Sequence, residues 1–148
     1  MKRNVFATPG YLTTAAARGF ARLSEARLKP LGFGVGAVPV LVALRDAGVD
    51  TQAELARTLR IGQPPMAQML ARMERDGLIE RCPDPSDGRS RKIALTARAE
   101  AGLPGALAAL FEGNEEAMRG FTDEEAVTLA SLLERVIANL DEAAGRPD

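Results

Sequence analysis

Arg89, Arg91 and Lys92 place three cations within four residues, directly after Pro83-Asp84-Pro85-Ser86-Asp87-Gly88. Proline, aspartate, serine and glycine in that density reverse a chain. A cationic loop of this kind suits a polyanion. Lysine meets phosphate as a point charge; arginine offers a planar fork that also fits a narrow, electronegative minor groove. Asp87 is close enough to Arg89 to orient its guanidinium, and Ser90 adds a hydroxyl beside it. Arg89 is therefore the candidate for minor-groove insertion, at a loop tip beyond Gly88. Arg91 and Lys92 stand where the chain returns, within reach of flanking phosphates. On this reading the Pro83–Ser90 loop is too long for a two-residue hairpin turn.

A second group lies upstream. Pro64 and Pro65 open a helix, since first-turn amides have no partners to lose. Around its axis, Met66, Met69, Leu70 and Met73 share one face, which is core packing for soft apolar side chains at this spacing. Pro64, Gln68, Ala71 and Arg75 lie opposite, with Gln63, Pro65, Ala67 and Arg72 at the edges. Glutamine can pair bidentately with adenine, and proline or alanine can touch a thymine methyl. Arg72 and Arg75 come late on the helix, where phosphate is the natural partner. Thr51 and Gln52, at the start of the preceding short helix, complete the candidate set.

These groups need elements to hold them. The pattern is mainly helical. A first helix spans Tyr11–Lys29 and stops at Pro30 and Gly32. A second, apolar on most sides and so buried, spans Val35–Ala47. Thr51 and Glu54 form a capping box, in which the Glu54 side chain returns to Thr51, at the start of a short helix ending near Leu59. Arg60-Ile61-Gly62 is a tight turn, and the helix from Pro64 runs to Asp76 before Gly77. Two short strands follow, Leu78–Cys82 and Ile93–Thr96. Ala97 to about Arg119 and Thr122–Ala144 close the chain as helices, the last with a capping box at Thr122 and Glu125 and a stripe of Ala126, Leu129, Leu133, Val136, Ile137 and Leu140. Short helix, turn, second helix and hairpin make a winged helix-turn-helix, in which the second helix enters the DNA major groove. The fold class is mainly α with a small two-stranded β wing. The whole chain, 1–148, reads as one domain: a DNA-binding lobe at about 37–96, flanked by dimerisation helices at about 8–32 and 97–145.

Charge supports this reading. Residues 1–32 carry six Lys/Arg against one acid, and residues 51–96 carry eight against six, whereas residues 97–148 carry four Arg against eleven acids. A protein that turns one region toward a polyanion uses such a gradient. The chain of 148 residues has no histidine, which removes the commonest general base and imidazole as a metal ligand. Asp123, Glu124 and Glu125 occupy a helix's first turn, where the dipole favours carboxylates, so they need no catalytic explanation. Gly32-Phe33-Gly34-Val35-Gly36-Ala37 loosely fits a dinucleotide fingerprint, but a helix precedes it where a strand is required. No enzyme activity, cofactor or metal is expected. The single cysteine, Cys82, gives no disulfide framework, so a reducing cytoplasm is the expected location. Cys82 has two readings, a half-buried strand residue or a thiol sensing oxidants. No apolar run reaches membrane-spanning length.

The quoted segments resemble the MarR (multiple antibiotic resistance regulator) family of transcriptional regulators along nearly the whole chain. "GYLTTAAARGFARLSEARLKPLGF" is similar to its first helix and exit, and "LVALRDAGVDTQAELARTLRIGQPPMAQMLARMERDGLIER" to its helix-turn-helix. "PDPSDGRSRKIALTARAEAG" is similar to its wing, where D-x-R…LT…G is the most specific pattern. The resemblance implies wing roles for Asp87 and Arg89 and a base-facing helix from Gln63 to Arg72. It implies a homodimer through the first and last helices, a near-palindromic double-stranded operator, repression as the commoner mode, and a small aromatic or anionic effector between the dimerisation helices and the DNA-binding lobe. Three features depart from the pattern. Gly34-Val35-Gly36 replaces a Thr or Ser cap, Gln63 replaces the Ser or Asp cap of the recognition helix, and Gly102-Leu103-Pro104-Gly105 predicts a bend or break in a normally long straight helix. The competing class is a winged helix used only for protein–protein contact, which would lack heparin retention and a salt-dependent affinity for DNA.

Overall fold

Thr8 sets the start of the first helix. Its hydroxyl accepts from the Tyr11 amide and Pro9 fills the first helical position, so α1 is Pro9–Leu28, beginning before the Tyr11 that apolar periodicity marks. This computed structural model describes residues 4–145, with every side chain in that span except those of Arg89 and Ser90. After α1 the chain turns at Gly32 and Gly36. Gly36 caps α2 with φ 82°, a conformation open to glycine, so α2 is Ala37–Asp46 and not the longer helix from Val35.

Helix α3 is Gln52–Thr58 and α4 is Gln63–Arg75. The capping box before α3 is only half formed. Thr51 accepts from Glu54 N–H at 3.3 Å, but the Glu54 carboxylate accepts from the Asp50 amide at 3.2 Å rather than from Thr51. Both helices end in the same way. Ile61 N–H reaches Ala56 C=O at 2.9 Å after α3, and Leu78 N–H reaches Met73 C=O at 2.9 Å after α4, each around one left-handed residue. After α4 that residue is Gly77; after α3 it is Arg60, at φ 54°. The N-cap of α4 is Gly62, and Gln63 is its first helical residue, so Gln63 does not replace the family's cap.

The wing is β1, Ile79–Asp84, antiparallel to β2, Asp87–Leu95, with Ile79 opposite Leu95 and Pro83 opposite Arg91. Both strands exceed the short segments read from the sequence, and the turn between them is Pro85-Ser86. A two-residue turn closes the hairpin after all. The Asp84 carboxylate accepts from the Ser86 amide at 2.9 Å and from its hydroxyl at 2.7 Å, which lets so short a turn form. The register shifts between Pro83 and Asp84, and Gly88, Arg89 and Ser90 lie on β2 between the two registers. Arg89 therefore sits on a strand at an irregularity, not at a loop tip.

Helix α5 is Ala97–Ala117 and runs unbroken through Pro104. Ala99, Leu103 and Ala106, on both sides of the proline, are fully buried, and that packing outweighs the lost backbone bond. Thr96 accepts from Ala99 N–H at 3.2 Å and donates to Gly77 C=O at 2.6 Å, joining the start of α5 to the end of α4. Arg98 donates to Asp76 C=O, adding a cation to the same helix C-terminus. One apolar core gathers Leu28, Phe33, Val40, Leu41, Leu55, Met66, Leu70, Met73, Leu78, Ile79, Ile93 and Leu103.

Residues Met1–Gly113 make one compact unit, which holds this core, and Asn114–Asp148 make a second. In the second, α6 is Asp123–Ala143, with both bonds of its capping box formed at Thr122 and Glu125. None of its residues is buried; Leu129, Leu132, Leu133, Val136, Ile137 and Leu140 are between 36% and 63% exposed. Among the described residues no helix is long and apolar enough to cross a membrane.

Candidate nucleic-acid interface

Helix α4 has an apolar face and a solvent face. Met66, Leu70 and Met73 are buried, while Gln63, Pro64, Pro65, Gln68, Arg72 and Arg75 are exposed and Ala67 is half-buried. Met69 departs from the stripe: it is half-buried, with its methyl against Gly36, where an added Cβ would come within 3.0 Å. The prolines remove two backbone donors from the first turn, and Met66 N–H closes on Gly62 C=O at 3.0 Å. The exposed face of α4 therefore acts through side chains.

Thr51 and Gln52 are half-buried at the start of α3. The Gln52 amide nitrogen donates to the Gln63 carbonyl oxygen at 3.1 Å, which joins the starts of α3 and α4. Each residue is legible as a candidate; their bond is not, because it depends on how the turn sets the two helices.

Asp50 is a residue the sequence reading leaves out. Its carbonyl accepts from Ile93 N–H at 2.7 Å, and its carboxylate meets the Lys92 ammonium at 3.1 Å. Lys92 is thus paired with Asp50, both side chains remaining about two-fifths exposed. Its hydrogen bond to Asp50 holds its pKa above the ordinary lysine value, so it stays charged. Nothing local in the sequence marks this pair. Arg81 is similarly occupied, 2.8 Å from Glu74 of α4. Arg91 is exposed on β2. Asp87 is exposed next to the turn; the side chains of Arg89 and Ser90, and so the orienting role expected of Asp87, lie outside the described residues. The Ser86 hydroxyl, and then the Ser86 amide, keep the Asp84 pKa below the usual carboxylate range, so this turn keeps an ionised anchor. Cys82 is exposed, not half-buried.

Behind α4 lies a cleft of about 590 Å³, lined among others by Glu25, Lys29, Phe33, Met69, Arg72 and Met73. Lys29 and Arg72 place cations there, beside the apolar surfaces of Phe33 and Met69. Three residues of α4 form part of its wall.

A model of the MarR family matches residues 31–90, the span from the end of α1 to the wing. An uncharacterized HTH-type transcriptional regulator of Bacillus subtilis, YybA, is 26% identical over 125 residues, covering 84% of this chain and 83% of its own. A MarR variant from E. coli, solved in complex with operator DNA, superposes with TM-score 0.79 at 27% identity, over 90% of this chain and 98% of that one. The transcriptional repressor CouR, solved on a 23-mer DNA duplex, also gives 0.79, at 25% identity over 93% of this chain and 97% of its own. The family model covers the candidate residues from Thr51 to Ser90 but not Arg91 and Lys92, and the structural likeness extends over about nine-tenths of the chain. Over residues 31–90 the chain matches the MarR family model, and along most of its length it is similar in sequence and fold to MarR-family winged-helix transcriptional regulators.

Proposed function

We propose that this protein is a sequence-specific, double-stranded DNA-binding regulator, acting as a homodimeric repressor released by a small ligand. The observation that carries the reading is the solvent face of α4, bare of apolar bulk and presenting Gln63, Gln68, Arg72 and Arg75, with the wing secured beside it through Asp50. On this reading α4 enters the major groove, Gln63 and Gln68 meet base edges, and Arg72, Arg75 and Arg91 meet phosphates. Thr51 and Gln52 approach the backbone beside them, and Asp87, Arg89 and Ser90 belong to the wing contact. The homologues solved on DNA support it.

Dimerisation follows from α6. A stripe of large apolar side chains left open in one chain is covered by a second copy, and two-fold symmetry then calls for a near-palindromic site. Release follows from the cleft. A small aromatic anion between Phe33 and Met69 would pair with Lys29 and Arg72 and so draw a phosphate-facing arginine away from DNA.

The test is retention of fragments from the gene's own upstream region, measured across a salt series, with and without benzoate as probe. Tight, salt-dependent binding to one fragment, weakened by benzoate, is the expected result. Equal binding to all fragments would reject sequence specificity, and no binding at low salt would leave a protein-contact module as the better description.

A further inference from the structure

We propose that Gln52 sets which base Gln63 reads, by holding its amide so that Gln63 presents hydrogen-bond donors; this rests on the DNA-binding reading above. A free glutamine reads adenine with its oxygen and its amine together, accepting from N6 and donating to N7. Gln63 is not free. Its carbonyl oxygen receives the Gln52 amine at 3.1 Å, which engages that oxygen with α3, so the amine is the end we assign to the DNA. Two N–H donors match the guanine edge, where N7 and O6 both accept, and they match one acceptor on thymine. Adenine offers the Gln63 amine a single acceptor, N7, and sets beside it an N6 donor that the amine cannot receive.

The neighbours sharpen this. Pro64 and Pro65 follow Gln63 directly and offer no N–H, so the amine of Gln63 is the side-chain donor group at this end of α4. Gln68, one and a half turns on, takes part in no hydrogen bond among the described residues and keeps both ends of its amide available. The two glutamines of the helix thus read differently: Gln68 retains the adenine pattern, and Gln63 takes guanine.

The experiment selects bound duplexes from a random-sequence pool with the full-length protein, then measures affinities on duplexes that differ at single base pairs. Wild type should enrich guanine at one position in each half-site, with adenine there at least about tenfold weaker, as expected of a good bidentate contact. Gln52→Ala frees the Gln63 oxygen, and the guanine-over-adenine ratio at that position should fall by about tenfold while the Gln68 position is unchanged. Gln52→Glu can only accept from Gln63, which turns the Gln63 oxygen outward, and should move the preference to adenine. Melting of each variant checks that the fold is intact. A guanine-to-adenine ratio unmoved in both variants, or a loss of affinity equal for every base, overturns the proposal. If wild type enriches no sequence, the DNA-reading function itself has failed instead.

Discussion

Gln68 and Arg91 separate what a base-reading residue does from what a phosphate-meeting one does. Both are exposed, Gln68 on α4 and Arg91 on β2 opposite Pro83. Gln68→Ala should weaken the best site by about 1–3 kcal/mol and leave binding to random DNA nearly unchanged. Arg91→Ala should weaken both alike and make the salt slope shallower by about one unit. Titrations at several salt concentrations check this, and matching profiles for the two variants would end the division of labour. At this scale the sequence is a good guide to which side chains reach solvent, because helical angle alone sorts Gln63, Gln68, Arg72 and Arg75 from Met66, Leu70 and Met73. It is a poor guide to which polar groups are already engaged. Lys92 reads as a free cation until Asp50, far away in the chain, is seen beside it at 3.1 Å.

Helices and strands were legible to different degrees. Periodicity and capping residues place all six helices, with ends displaced where a glycine or a threonine cap overrides the apolar pattern, as at Gly36 and Thr8. The wing is longer than its apolar alternation marks. Its outer strand residues are held by ladder bonds and an aspartate turn, not by burial, so alternation does not mark them. At α5 local propensity gave the wrong answer, because Pro104 sits between buried Leu103 and Ala106. The turn of the helix-turn-helix also departs from local preference. Arg60 adopts φ 54°, which costs an L-residue about 1–2 kcal/mol, where α4 ends with a glycine in the same role. Arg60→Gly removes that strain but adds freedom to the unfolded chain and gives up the interaction that Arg60 makes, and the balance should be a gain of no more than about 0.5 kcal/mol. Urea denaturation measures it. A lower midpoint at unchanged slope would mean that Arg60 makes interactions worth more than its strain.

For the molecule as a whole, the prediction concerns what covers α6. Leu133 and Ile137 are 36% and 37% exposed on α6, too much apolar surface to leave open along one stripe. Wild type should scatter light as a dimer at micromolar concentration and protect two half-sites about one helical turn apart, ~10 bp centre to centre. Leu133→Glu should give monomers that melt normally but bind the operator more weakly by a factor of about 100 or more, since each then holds one half-site alone. A wild-type monomer bound one to one would reject the dimer. The residue that sets the mechanics of such a complex is Asp50, which gives its amide to Glu54, its carbonyl to Ile93 and its carboxylate to Lys92. Wing and helix-turn-helix are joined at Asp50 and again at Arg81 and Glu74, so on the proposed reading the distance between a groove contact on α4 and a contact on the wing is a fixed dimension of the protein. A jig of fixed width leaves the compliance to the duplex. Sequences with flexible pyrimidine–purine steps between the two contact points bend to meet it cheaply, and stiff ones resist. The operator is then chosen partly by its elasticity, at base pairs that no side chain touches.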